Sequence, residues 1–255
     1  MMMFDKYAYI NGLRKQHPGE KVLFSLSSLF FLISARDAYA SIFIFCMMSI
    51  AIIVVARIPF FFYVKSLFLP IFFLLMSIVA IIIEFSKGIP VDALLSLRIQ
   101  NYSLFITEQS LQRGTNLFLV SFASVSCLYF LILSTTIFDL LQLLKKIHVP
   151  TILLELFMYV YRFIFIVLDQ SVAIFTAQQS RLGYATYRKS FRSLALLIAS
   201  LFSKSMIQSQ QFAYALQAKN DDGMLRQIEK KYRYSKRFWL FFIFYVLALL
   251  WVTYS

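Results

Sequence analysis

The chain has 255 residues, of which 60% are apolar, 18% aromatic and only 15% charged, and it carries a formal net charge of +13. Soluble domains devote roughly a quarter of their residues to charge, so this composition excludes an ordinary water-soluble fold. Apolar runs of about 17–22 residues, long enough to cross ~30 Å of hydrocarbon, recur along it. Scarce glycine and proline and the lack of period-two alternation exclude a transmembrane barrel. The expectation is an all-α polytopic membrane protein, a bundle of five to seven membrane-associated helices.

Residues 1–21 are polar and basic, with Lys6, Arg14, Lys15 and Lys21 against Asp5 and Glu20. They read as a cytoplasmic lead-in rather than a cleaved signal peptide. Residues 22–34 predict a short first span, 35–37 an outer turn and 38–56 the return. Arg57-Ile58-Pro59 breaks the helix. Residues 66–85 cross again, with Pro70 a candidate kink. Residues 86–114, a long non-apolar stretch, are nearly balanced in charge and are expected outside, before a span over 115–135.

From residue 135 to 237 there are fifteen Lys or Arg against six Asp or Glu, an excess of nine. This bias places the region on the cytoplasmic side, against anionic lipid, without invoking nucleic acid. Within it, residues 138–147 predict an amphipathic surface helix stopped by Pro150, with Leu140, Leu141, Leu144 and Ile147 on one face. Residues 151–170 are apolar yet carry Glu155, Arg162 and Asp169 at heptad spacing. Two heptads rotate only ~40°, so the three share a face that should meet protein or water. Residues 191–202 are moderately apolar, and 238–253 form a last span crossing outward. Three regions follow: 1–135, a four-span bundle; 136–237, a coupling region; and 238–255, a terminal helix.

Two segments in the coupling region echo each other 38 residues apart, AQQSRLGY at 177–184 and ALQAKNDD at 215–222. Each ends a stretch of helical spacing with a small residue, a cation and then a breaker: Ser180-Arg181-Leu182-Gly183 and Ala218-Lys219-Asn220. Two short helices with basic tips would suit two equivalent clefts of a soluble dimer. Gln178, Gln179, Gln211 and Gln217 would supply polar contacts on these helices, with Phe175, Met206, Ala213 and Leu216 facing protein and Arg162 a candidate internal contact alongside Glu84.

No GxxxxGK[ST], GxSxG or HExxH occurs, so nucleotide chemistry must come from a partner. His17 and His148 lack metal-ligand spacing and read as surface histidines, and Asp221-Asp222 lacks a second acidic cluster. Cys46 and Cys127 sit in apolar runs as small hydrophobes. No cofactor and no resident metal are expected.

The tandem motifs, with the N-terminal Asp5-Lys6-Tyr7-Ala8 and His17-Pro18-Gly19-Glu20-Lys21, resemble the transmembrane T component of energy-coupling factor transporters, in its CbiQ branch. That family carries two Ala-Arg-Gly motifs at the ends of coupling helices. The resemblance implies partners: a CbiO-like dimer of ABC ATPases and a CbiM-like substrate-binding subunit with a small CbiN-like subunit. It also implies no ATPase activity of its own and cobalt as cargo, with nickel or a vitamin the alternatives. A membrane enzyme or secondary carrier is the competing class. The sequence departs from the family where Leu182 replaces glycine in the first motif, and where Lys219 and Asn220 replace arginine and glycine in the second. Lysine keeps the charge but loses the planar fork that pairs a carboxylate.

Overall fold

In the computed structural model of the chain, residues 2–86, 93–99, 102–218, 232 and 234–254 are described. They form nine α-helices, one π-helical turn and a small antiparallel sheet, a helical multi-pass membrane architecture. Two compact units are present: Met1–Leu140 with Lys231–Ser255, and Leu141–Lys230.

The first unit begins with α1 (Met2–Ile10) and α2 (Pro18–Ala35). His17 is the N-cap of α2, its Nδ1 accepting from the Gly19 amide at 3.0 Å, and Pro18 supplies the preset first-turn φ. The expectation of a surface histidine is therefore wrong for His17, which is 3% exposed. His148 is exposed, as expected, and adopts a left-handed φ of 64° just after α6. The first apolar helix also starts earlier than residue 22, because this cap lets Glu20 and Lys21 enter it buried.

α3 (Ala38–Ile50) is capped by Asp37 and runs into a π-helical turn (Ala51–Val55) that the sequence did not announce. The wide turn leaves the Ala56 carbonyl free to accept from the Gly12 amide at 3.0 Å. A Cβ on Gly12 would stand 2.6 Å from the Val55 carbonyl oxygen, so only glycine permits this approach. α4 (Phe60–Ile82) starts six residues before the expected span and continues through Pro70.

Strands β1 (Glu84–Ser86), β2 (Ala93–Ile99) and β3 (Tyr102–Thr107) lie at the start of and within the non-apolar stretch 86–114, ordered β1-β3-β2 and antiparallel throughout. Glu84 pairs with Phe105, and Ile99 with Tyr102. α5 (Glu108–Ser134) then begins seven residues before residue 115, because Thr107 and Ser110 form a reciprocal capping box.

α6 (Ile137–Lys146) and α9 (Lys236–Tyr254) complete the helices that begin in this unit. α6 has the expected extent, but its buried positions are Asp139 and Leu141, while Ile147 beyond it is exposed. The core joins Phe24 and Leu32 of α2, Ile44 and Met48 of α3, Tyr63 and Leu67 of α4, Cys127 and Phe130 of α5, and Tyr245 and Leu249 of α9. Cys127 is the buried small hydrophobe foreseen, whereas Cys46 is exposed.

Hydroxyls cross this core where lipid-like surroundings offer no water. The Tyr63 phenol bridges Ser49 (3.0 Å) and Ser126 (2.9 Å), Ser25 donates to the Cys127 carbonyl (2.7 Å), and Ser28 bonds Tyr245 (2.8 Å). Such interhelical bonds contribute about 0.6 kcal/mol on average in a membrane. Their larger effect is to fix which faces meet.

The second unit contains α7 (Thr151–Ser180) and α8 (Tyr187–Ala218), an antiparallel hairpin. At 30 and 32 residues these are long helices, not the short ones expected. Both are long and apolar enough to cross a membrane, as are Ala38–Val55, Phe60–Ile82 and Glu108–Ser134. That set differs from the expected clear spans at two places: α2 is not among these helices, and the apolar part of the last helix, Phe238–Thr253, is shorter.

Candidate coupling site

α7 ends in a Schellman turn that displays Arg181. The Gly183 amide donates to the Gln178 carbonyl at 2.9 Å and the Leu182 amide to the Gln179 carbonyl at 3.0 Å, closing the last orphan carbonyls of the helix. The residue that must turn left-handed is Leu182, at φ 55°. This is the position at which the resembled motif has glycine. A non-glycine there costs about 1–2 kcal/mol, and its side chain, 70% exposed, recovers little by packing.

Gly183 serves a different need. A Cβ there would lie 2.7 Å from Ser193 Oγ and 2.9 Å from the Gln178 carbonyl oxygen, so the turn closes onto α8 only over a bare backbone. Ser193, the one buried residue of α8, donates Oγ to the Gly183 carbonyl at 2.9 Å. Gln178 then ties the layers together: Nε2 donates to the Ser193 carbonyl at 3.0 Å and Oε1 accepts from the Tyr184 phenol at 2.7 Å. Ser180 donates back to the Thr176 carbonyl at 3.0 Å.

Of the sequence-selected residues, the structure brings together Gln178, Ser180, Arg181, Leu182 and Gly183. Arg181 itself is exposed. Gln179, Gln211 and Gln217 are exposed. Ala218 is the last residue of α8, while Lys219, Asn220 and the Asp221-Asp222 pair lie outside the described residues. The side chain of Glu84 also lies outside them.

Between the two helices runs an apolar groove of about 750 Å³. Met206, Ala213 and Leu216, expected to face protein, line it with Phe163, Val167 and Phe212. Phe175 instead packs on Tyr184 at 4.9 Å. Arg162 stacks over the Phe212 ring at 5.6 Å, a cation–π contact with the facing helix. Tyr159 and Phe163 meet the same ring edge-on at 5.1 and 5.5 Å. Of the heptad-spaced charges, Arg162 and Asp169 are exposed and Glu155 is half-buried. Sequence reasoning missed Gln170 and Gln208, whose side-chain amides bond at 2.7 Å across the hairpin. Their spacing of 38 residues equals that of the two motifs, a signal available in the repeat. Among the described residues no group of three or more potential metal ligands comes together.

The profile described as "CbiQ: Cobalt transport protein" matches residues 11–232. The chain is 32% identical over 155 residues to the cobalt transport protein CbiQ of Salmonella typhimurium, covering 61% of this chain and 68% of that one. It is 37% identical over 93 residues to CbiQ of Rhodobacter capsulatus, covering 36% and 38% respectively. It is 26% identical over 230 residues to a putative fused cobalt transport protein CbiMQ of Methanocorpusculum labreanum, 90% of this chain and 38% of that longer one. With its apolar helices, its two-helix hairpin and a match spanning most of its length, the chain belongs to the CbiQ family of cobalt transport proteins, as a multi-pass membrane component.

Proposed function

We propose that the chain is the energy-coupling T subunit of an ATP-driven, energy-coupling-factor-type cobalt importer. The α7–α8 hairpin is its lever. Arg181 at one end and Lys219 beyond the other dock in acidic grooves of two CbiO-like ATPases on the cytoplasmic face. The hairpin and bundle carry the resulting displacement to a CbiM-like substrate subunit assisted by a CbiN-like one. The single observation that supports this most is the Arg181 turn. An exposed arginine whose backbone sits in a Schellman turn braced by its neighbours is suited to pairing with a carboxylate. The fused CbiMQ relative supports the substrate-side partner, since a matching segment there shares one chain with a protein named for CbiM.

Reversing both charges, Arg181→Glu with Lys219→Glu, tests the reading. The double variant should insert normally but lose co-purification of the ATPases and cobalt uptake. Normal assembly and uptake would reject it. The substrate subunit that co-purifies with the unmodified chain decides between cobalt, nickel and a vitamin. Activity in liposomes lacking any ATPase would favour a secondary carrier instead.

A further inference from the structure

The chain passes between its two units twice, after Leu140 within α6 and again after Lys230. Within the first unit, the residues flanking these crossings are bonded to each other. Asp139, 6% exposed, accepts from the Tyr232 phenol at 2.7 Å. Burial, then the hydrogen bond and charge of Asp139, push the Tyr232 phenol above the ordinary tyrosine range, so it remains a donor.

The same pair is bolted to the N-terminal motif. The Tyr234 ring stacks on His17 at 4.0 Å and 16°, and Tyr232 meets that imidazole edge-on at 6.2 Å. Glu20 Oε1 accepts from the Ser235 amide at 2.8 Å, directly before α9. Lys21 Nζ donates to the Ser134 carbonyl at 2.8 Å, and Asn11 Nδ2 to the carbonyls of Leu133 and Ser134 at 3.1 Å each, at the end of α5. Glu20 and Lys21 are each 2% exposed. Neither composition nor helix stability requires so many buried polar groups in one place, and buried polar groups are costly unless bonded. What they achieve is to hold the start of α2, the end of α5, the start of α6 and the entry to α9 at one point.

We propose that this cluster is a joint within the first unit: Asp139, Tyr232, His17 and Glu20 are positioning residues that hold the start of α2, the end of α5, the start of α6 and the entry to α9 together, so that a displacement arriving along α6 moves α2, α5 and α9 as one body. The proposal rests on the coupling function above and assigns to the His17-Pro18-Gly19-Glu20-Lys21 motif a mechanical task distinct from docking.

The test uses the full chain assembled with its ATPase and substrate subunits in proteoliposomes, measuring complex yield, ATP hydrolysis and cobalt taken up per ATP. Tyr232→Phe keeps the ring and removes the donor. It should leave yield and hydrolysis unchanged and lower uptake per ATP about tenfold, the scale of one hydrogen bond to a charged group. Asp139→Ala should do the same, with the double variant no worse than either single one. Asp139→Asn, which retains the acceptor, should stay within about twofold of the unmodified protein. Unchanged uptake per ATP in Tyr232→Phe overturns the joint, and so does a loss that merely follows a fall in complex yield. Failure of the coupling reading is separate: there the unmodified chain itself neither retains ATPases nor supports ATP-driven uptake.

Discussion

Ser193 Oγ donates to the Gly183 carbonyl at 2.9 Å and occupies the space, 2.7 Å away, that a Gly183 side chain would need. The turn bearing Arg181 is thus shaped by α8 as much as by its own helix. Gly183→Ala forces either Ser193 or the Gln178 carbonyl to move, and the carbonyl is backbone. Destabilisation of about 1–3 kcal/mol is expected, read from the denaturation midpoint of the purified chain in micelles. An unchanged midpoint would mean that the hairpin end is not closed in this way.

Leu182 is the opposite case. Its left-handed φ of 55° is strained and its side chain is largely exposed. Leu182→Gly should therefore stabilise the chain by up to about 1 kcal/mol, the strain relieved less the added freedom of the unfolded glycine. Leu182→Val, β-branched and poor at positive φ, should lower the midpoint. A loss on Leu182→Gly would show that the leucine side chain is covered by something more valuable than the strain it causes.

Ser28 and Tyr245 meet across 2.8 Å in the centre of the first unit. Removing either hydroxyl alone should cost about 0.6–1.7 kcal/mol, the range for such bonds in membranes. Ser28→Ala with Tyr245→Phe should cost less than the sum, because no orphan remains. Additive losses in the double-mutant cycle would deny the pair its bond.

The proposed coupling role requires one orientation of the hairpin. α8 has 32 residues, about 48 Å at 1.5 Å each, more than the ~30 Å hydrocarbon core. Its two ends reach one cytoplasmic face only if it lies along the membrane. In a background with Cys46 and Cys127 replaced, Arg181→Cys and Lys219→Cys should both react with an impermeant maleimide from the cytoplasmic side alone. Labelling from opposite sides would make α7 and α8 a transmembrane pair and remove the lever.

The second cation is also a test of geometry. Lys219→Arg restores the planar fork and should bind the ATPases at least as tightly as the natural lysine. A loss of about tenfold, some 1.4 kcal/mol, in a pull-down titration would mean that the site reads an ammonium specifically.

The sequence alone established the solvent of this protein, the basic charge of residues 135–237 and the tandem motifs, because each depends on residue type and spacing along one chain. Runs of Leu, Phe and Ile report lipid wherever they fold, and Arg181 is conspicuous in the repeat without any coordinates. Helix ends were less visible: His17, Thr107 and Leu182 set them through caps and a left-handed turn, local geometries that composition does not encode. The joint was invisible for a stronger reason. Asp139 with Tyr232, and Glu20 with Ser235, lie 93 and 215 residues apart, and only packing of α2, α5, α6 and α9 makes them neighbours. Read singly, each is a polar residue near a membrane surface; folded, they share one desolvated site whose defining bonds join distant parts of the chain.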